Sequence, residues 1–208
     1  MKRAQVVCWP GLAHHRFWGE AFGTGLKRHG WQVEYVTRRA GRCDLVVAWG
    51  TRRSAAFADQ KAGGGEVCIL EHGYLGDRKK WTSVSFGGEL NGRASFRGPF
   101  HDASRFEQNF GHLMQPWRRR DGYVLILGQV PTDMSVKGAD VIGFYWRSAL
   151  ALKEQGVDFR FRPHPHAPQI RIGDHPNAEG SLAHALDGAA WTVAWNSNSS
   201  VDAVMAGV

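Results

Sequence analysis

Short runs of apolar, β-branched residues alternate along this chain with stretches in which apolar positions recur every three or four residues. AQVVCWP (4–10), WQVEYV (31–36), DLVVAWG (44–50) and EVCIL (66–70) read as strands. Between them, RFWGEAFGTGLKRHG (16–30) has the spacing of an amphipathic helix that stops at Gly30, and RRSAAFADQKAGG (52–64) reads as a helix closed by glycines. Strand and helix in regular alternation predict a parallel sheet with helical crossovers, hence an α/β fold.

Residues 71–101 break the rhythm. EHGYLGDRKKWTSVSFGGELNGRASFRGPFH has no helical period and is too long for an ordinary connection, and such segments in α/β domains usually carry function. A helix is expected near 103–113. QPWRRRDG then marks a break, and the boundary between an N-terminal lobe (1–117) and a C-terminal lobe (118–208) is placed there. The alternation restarts with YVLILGQ (123–129), uniformly apolar like the middle strand of a parallel sheet. GADVIGFYWRSALALKEQ (138–155) suits a helix before Gly156, and VDFRFRPHPH (157–166) is a strand running into a proline-fixed loop. SLAHALDGA (181–189) is a helix capped by serine, WTVAW (191–195) a strand, and Ser199 opens a last helix. A second lobe that repeats the pattern of the first suggests two Rossmann-like lobes facing each other.

Composition narrows the class. In 208 residues, 43% apolar and 22% charged content excludes global disorder, and no apolar stretch is long enough to span a bilayer. MKRAQVV reads as the start of a strand, not a secretion leader. Cys8, Cys43 and Cys68 are odd in number and set among apolar residues, as expected of buried free thiols in a reducing cytoplasm. The formal charge of +7 suits an anionic partner, whether nucleotide, nucleic acid or acidic glycan. That charge is dispersed in small groups such as Arg38/Arg39/Arg42, Arg52/Arg53, Arg78/Lys79/Lys80 and Arg118/Arg119/Arg120, and a solvated surface accounts for many of them.

In open α/β sheets, ligands bind beyond the carboxyl ends of the strands. Four polar turns follow apolar runs here: EHGYLGDR (71–78), GQVPTDMS (128–135), RPHPH (162–166) and NSNSS (196–200). The last, with Ser197, Ser199 and Ser200, has small side chains that let a phosphate approach a helix start; helix capping alone is the plainer alternative. Gln129, Asp133 and Ser135 lie on a proline-containing turn, where the acid suits a ribose or base and the serine a phosphate, although turn chemistry also selects Pro, Asp and Ser. In RPHPH the prolines set the directions of Arg162 and His164, which suit a diphosphate or carboxylate. His164 and His166 lack a third ligand at convincing spacing, so no metal is expected. Glu71 and His72 are acid–base candidates, with a charged surface turn as the alternative.

In this order the four turns resemble the capsule-polysaccharide biosynthesis glycosyltransferases, the group that contains bacterial Kdo transferases of GT-B architecture. Glu71-His72-Gly73-Tyr74 resembles that family's Glu-Asp-Gly-Phe loop. Gln129-Val130-Pro131-Thr132-Asp133-Met134-Ser135 resembles its Gln-Val-x-x-Asp-x-Ser loop, and Arg162-Pro163-His164-Pro165 its Arg/Lys-Pro-His-Pro loop. Ser199-Ser200-Val201-Asp202-Ala203-Val204-Met205-Ala206-Gly207 resembles its Ser-rich turn and following Glu-Ala-Leu-x-x-Gly helix. His72 stands where the family has Asp, and Asp202 departs from its Glu-containing stretch.

The resemblance implies a nucleotide-sugar donor held mainly by the second lobe. Arg162, His164, Ser199 and Ser200 would face its phosphate, with Gln129, Asp133 and Ser135 nearby. It implies an acceptor over the first lobe, Glu71 as catalytic carboxylate, and neither metal nor cofactor. It also implies a chain truncated within its second lobe. The expected activity is transfer of the sugar to a glycan or other anionic acceptor. Two other readings remain open: a DNA- or protein-modifying glycosyltransferase, and an inactive sugar-nucleotide-binding or structural fragment.

Overall fold

The computed structural model describes residues 1–9, 11–39, 41–51, 54–77, 80–89, 94–95, 102–117, 121–136 and 138–208. Of the basic residues singled out above, Arg52, Arg53, Arg78, Lys79 and 118–120 lie outside them. The chain forms two compact units, Met1–Asp102 and Ala103–Val208. The segment 103–117 therefore goes with the second unit, ahead of the break expected at 117. Gln115 N–H donates to the Met205 carbonyl (2.8 Å) and ties that segment to the end of the last helix.

In the first unit, β1 (Arg3–Val7), β2 (Gln32–Val36), β3 (Leu45–Trp49) and β4 (Glu66–His72) are parallel and lie in the order β2-β1-β3-β4. Helix α1 (Ala13–Arg28) joins β1 to β2, and α2 (Ser54–Ala62) joins β3 to β4. Alternate residues of the strands face opposite layers, as the pleat requires. Val6, Leu45, Val47, Cys68 and Leu70 pack with Trp18, Phe22 and Leu26 of α1, while Val46, Ala48, Val67 and Ile69 pack with Phe57 of α2. A strand covered on both faces is apolar throughout, which is why these runs show no alternation.

A fifth strand, β5 (Thr82–Phe86), pairs antiparallel with β4 and lies inside the segment expected to be irregular. Its pattern is inverted relative to the usual cue. Ser85 is buried, with its hydroxyl donating to the Glu89 carbonyl (3.0 Å), while Val84 is exposed. β4 also runs two residues further than EVCIL, taking in Glu71 and His72, because β5 extends its hydrogen-bond ladder.

In the second unit, α3 (Ser104–Phe110) precedes a three-stranded parallel sheet of order β7-β6-β8. These strands are β6 (Tyr123–Leu127), β7 (Phe159–Arg162) and β8 (Ala189–Ala194). One face packs against α4 (Val141–Glu154) through Tyr145, Phe161 and Ile126; the other packs against α5 (Leu182–Asp187) and α6 (Ser199–Met205) through Leu125, Leu186 and Ala203. Each fully buried Leu, Ile or Phe here contributes roughly 1.5–3 kcal/mol of transfer free energy.

Caps fix the helix ends. Asp140 accepts from Gly143 N–H (2.8 Å) at the start of α4; that bond, then Arg147, holds its carboxyl below the usual range. Ser181 caps α5 as expected. At the end of α4, Gly156 at φ 67° lets its own N–H and that of Val157 reach the Lys153 and Leu152 carbonyls.

The three cysteines are free. Burial pushes all three thiols up, Cys68 to about 12. No helix among the described residues is long and apolar enough to cross a membrane.

Candidate functional site

Because β7, β6 and β8 are parallel, the turns that follow Arg162, Leu127 and Ala194 emerge at the same edge of the second sheet. The order places β6 centrally. The chain passes from β6 to β7 on one side and to β8 on the other, so the topological switch point lies between β6 and β8. Three of the four polar turns singled out in the sequence border this edge.

They are tied together by named bonds. Gln129 is 7% exposed; its Nε2 donates to Ser135 Oγ (3.1 Å), and its Oε1 accepts from the backbone N–H of Asn196 (3.3 Å). Asn196 returns the connection, donating from Nδ2 to the Ser135 carbonyl (3.2 Å). The turns after β6 and β8 are thereby locked across the switch point. The turn after β7 joins through Gly128, whose N–H donates to the Arg162 carbonyl (2.8 Å).

The predicted donor residues divide into those that build this frame and those on the turns beside it. Asp133 Oδ1 accepts from both the N–H and the hydroxyl of Ser135 (2.8 and 2.6 Å), so that carboxylate oxygen and that hydroxyl proton are spent on the turn. Ser200 Oγ donates to the carbonyl of Ser197, itself 5% exposed, and holds the entry to α6. Asn198 at the N-cap of α6 makes no side-chain capping bond.

Arg162 and His164 are preset. Arg162 commits one N–H to the Gly180 carbonyl (2.9 Å), which restrains its guanidinium fork. His164 Nδ1 accepts from His166 N–H (3.1 Å). In the neutral ring the proton then sits on Nε2, leaving that nitrogen as the donor. Among the described residues no cluster of three His, Cys, Asp or Glu side chains is arranged to hold a metal ion.

Tyr145 escaped sequence reasoning. It is 0% exposed in the apolar stripe of α4, where only its hydroxyl distinguishes it from Phe, and that hydroxyl accepts the Gln129 N–H at 2.7 Å. Burial pushes its phenol up, with the Gln129 bond acting in the opposite direction. Tyr145→Phe leaves a buried N–H without its acceptor. The expected cost is about 1–3 kcal/mol in urea unfolding, with faster amide exchange at Gln129. Unchanged stability and exchange would show that the bond is not needed.

Glu71 and His72 occupy the first unit. As neighbours on a strand they project to opposite faces. Glu71 Oε1 accepts from His72 N–H (2.9 Å), and its Oε2 lies 3.6 Å from where a Cβ on Gly50 would sit, beside the turn after β3. His72 lies on the α1 face, where its ring stands 5.0 Å from that of Trp49 and 5.6 Å from that of His14. The two do not form an acid–base couple across a shared proton.

Comparison with models of known protein families and with curated proteins found no match.

Proposed function

We propose that this chain is a metal-independent glycosyltransferase of the GT-B kind, with two Rossmann-like lobes, which moves a sugar from a nucleotide-sugar donor to a glycan-type acceptor in the cytoplasm. The observation that carries this reading is the bonded frame of Gln129, Ser135 and Asn196 at the switch point of the second sheet, with Arg162 and His164 on the adjoining turn. Switch points of open α/β sheets are where nucleotides bind. A restrained guanidinium and an imidazole Nε2–H next to such a frame suit the negative charge that grows on a departing diphosphate. In this scheme Ser199 and the backbone of the 196–200 turn line the phosphate, and Asp133, Ser135, Ser197 and Ser200 hold the lining in place. Glu71 serves the acceptor as catalytic carboxylate.

Thermal shift with CMP-, UDP-, GDP- and CDP-linked sugars tests the donor site, because a ligand that binds only the folded state raises the melting temperature. One nucleotide class is expected to stabilise the protein. His164→Ala should weaken that donor about tenfold, the loss of roughly one charge-assisted hydrogen bond, without lowering the melting temperature of the free protein. If none of the four classes shifts the melting temperature, the donor site is refuted. Donor binding with neither transfer nor hydrolysis would reduce the chain to a binding module.

A further inference from the structure

An unpaired strand edge attracts another strand unless something blunts it. In the first sheet, edge strand β2 carries the charged Glu34, and the other edge strand, β5, is met by Ser95, which exchanges two backbone bonds with Phe86 (2.7 and 3.0 Å). In the second sheet, the outer side of β7 is met by the segment that follows it. Phe161 N–H donates to the Pro176 carbonyl (3.2 Å), and Ala178 N–H donates to the Phe161 carbonyl (2.8 Å). β8 is the other edge of that sheet, and its ladder runs to β6; among the described residues no strand or bridge pairs with its outer side. Its sequence, AAWTVA, holds neither a charge nor a proline, and its extra residue, Ala190, lies near its start. Trp191 on this strand is 72% exposed.

We propose that β8 pairs with β8 of a second copy of this chain, antiparallel about a two-fold axis at Thr192, so that two three-stranded sheets become one. A two-fold contact presents the same strip on both copies, so the strip must complement itself. With Thr192 opposite Thr192, Trp191 of each copy falls opposite Val193 of the other, and Ala190 opposite Ala194. Val193 packs on the α4 side and Ala194 on the side of α5 and α6. Alternation then puts Trp191 with Val193 on the α4 side and Thr192 on the other. Aromatic to β-branched and Thr to Thr are cross-strand pairs that stabilise an antiparallel ladder. Neighbouring registers do less well. An axis at Trp191 sets Thr192 against the bulge residue Ala190, and an axis at Val193 sets Trp191 against Trp195, whose ring already stands 5.4 Å from that of Phe144.

Charge favours the same strip. Two chains of formal charge +7 repel each other on average, so a contact between copies belongs where neither presents a charge, as along β8. Because the paired strands run in opposite directions, the turns at 196–200 of the two copies lie at opposite edges of the joined sheet. The pairing therefore stands apart from the sugar-transfer reading and is measured without any donor.

Light scattering on the eluting chain should show the mass rising from one chain toward two as protein concentration rises. Trp191 is largely exposed, so Trp191→Lys should fold normally; it removes both Trp–Val pairs and should weaken self-association about tenfold or more. Cross-linking tests the register. Facing residues of an antiparallel pair have Cα atoms about 4.5–5.5 Å apart, within the span of a disulfide. With diamide as oxidant, Thr192→Cys should form a covalent dimer, while Ala190→Cys, which faces Ala194 and not itself, should not. The wild-type chain with its own three free thiols is the blank. A single-chain mass at every concentration, a dimer unaffected by Trp191→Lys, association that continues beyond two copies, or cross-linking of Ala190→Cys as readily as Thr192→Cys would overturn the proposal.

Discussion

Valine in place of Gly128 is expected to destabilise the second unit by about 3 kcal/mol, at the upper end of what overpacking costs. Gly128 follows the last residue of β6, where its N–H donates to the Arg162 carbonyl of the neighbouring strand. A Cβ there would stand 2.7 Å from that carbonyl oxygen, 2.9 Å from His164 N and 3.0 Å from Pro163 Cα. All three are backbone atoms, two of them beside or within a proline-fixed turn, so none can swing aside as a side chain would. The strands must part instead. Amide exchange measured peptide by peptide should accelerate across 123–127 and 159–162, a readout that does not require both units to unfold together. The same displacement moves Arg162 and His164, so under the glycosyltransferase reading donor affinity should fall alongside stability. An unfolding midpoint unchanged by the substitution would mean that the turns after β6 and β7 do not meet as described.

The requirement at Gly128 also shows what could be learned from the sequence. YVLILGQ announced a buried parallel strand, because a strand covered by helices on both faces has no polar side, and Tyr123–Leu127 is buried throughout. The four polar turns were visible for the related reason that chain leaving such a strand must regain polarity at once. What stayed hidden depends on partners distant in sequence. Tyr145 is written like any core aromatic until Gln129, sixteen residues away, is seen to donate to it. β5 was missed because its buried position holds Ser85 and its exposed one Val84, the reverse of the alternation that marks a half-buried strand. The division between Glu71 and His72 is a matter of register. Once β5 extends β4 through His72, a loop pair becomes two residues on opposite faces.

That division leads to the second large expected effect. Under the glycosyltransferase reading, Glu71→Gln should lower the transfer rate by roughly 10²–10⁴-fold, the usual contribution of a positioned proton acceptor, while leaving donor affinity and melting temperature where they are. Glutamine keeps the shape and the acceptor oxygen that receives the His72 N–H, so the end of β4 retains its local bond and only the charge and basicity are lost. The proposed donor residues belong to the turns of β6, β7 and β8 in the other unit, so a change confined to kcat separates chemistry from donor binding. His72→Gln makes the opposite case. Its ring lies with His14 and Trp49 on the α1 face, away from the carboxylate, so this substitution should spare the rate at saturating acceptor. If Glu71→Gln turns over at the wild-type rate, the carboxylate beside Gly50 is not the base, and the catalytic group must be sought elsewhere.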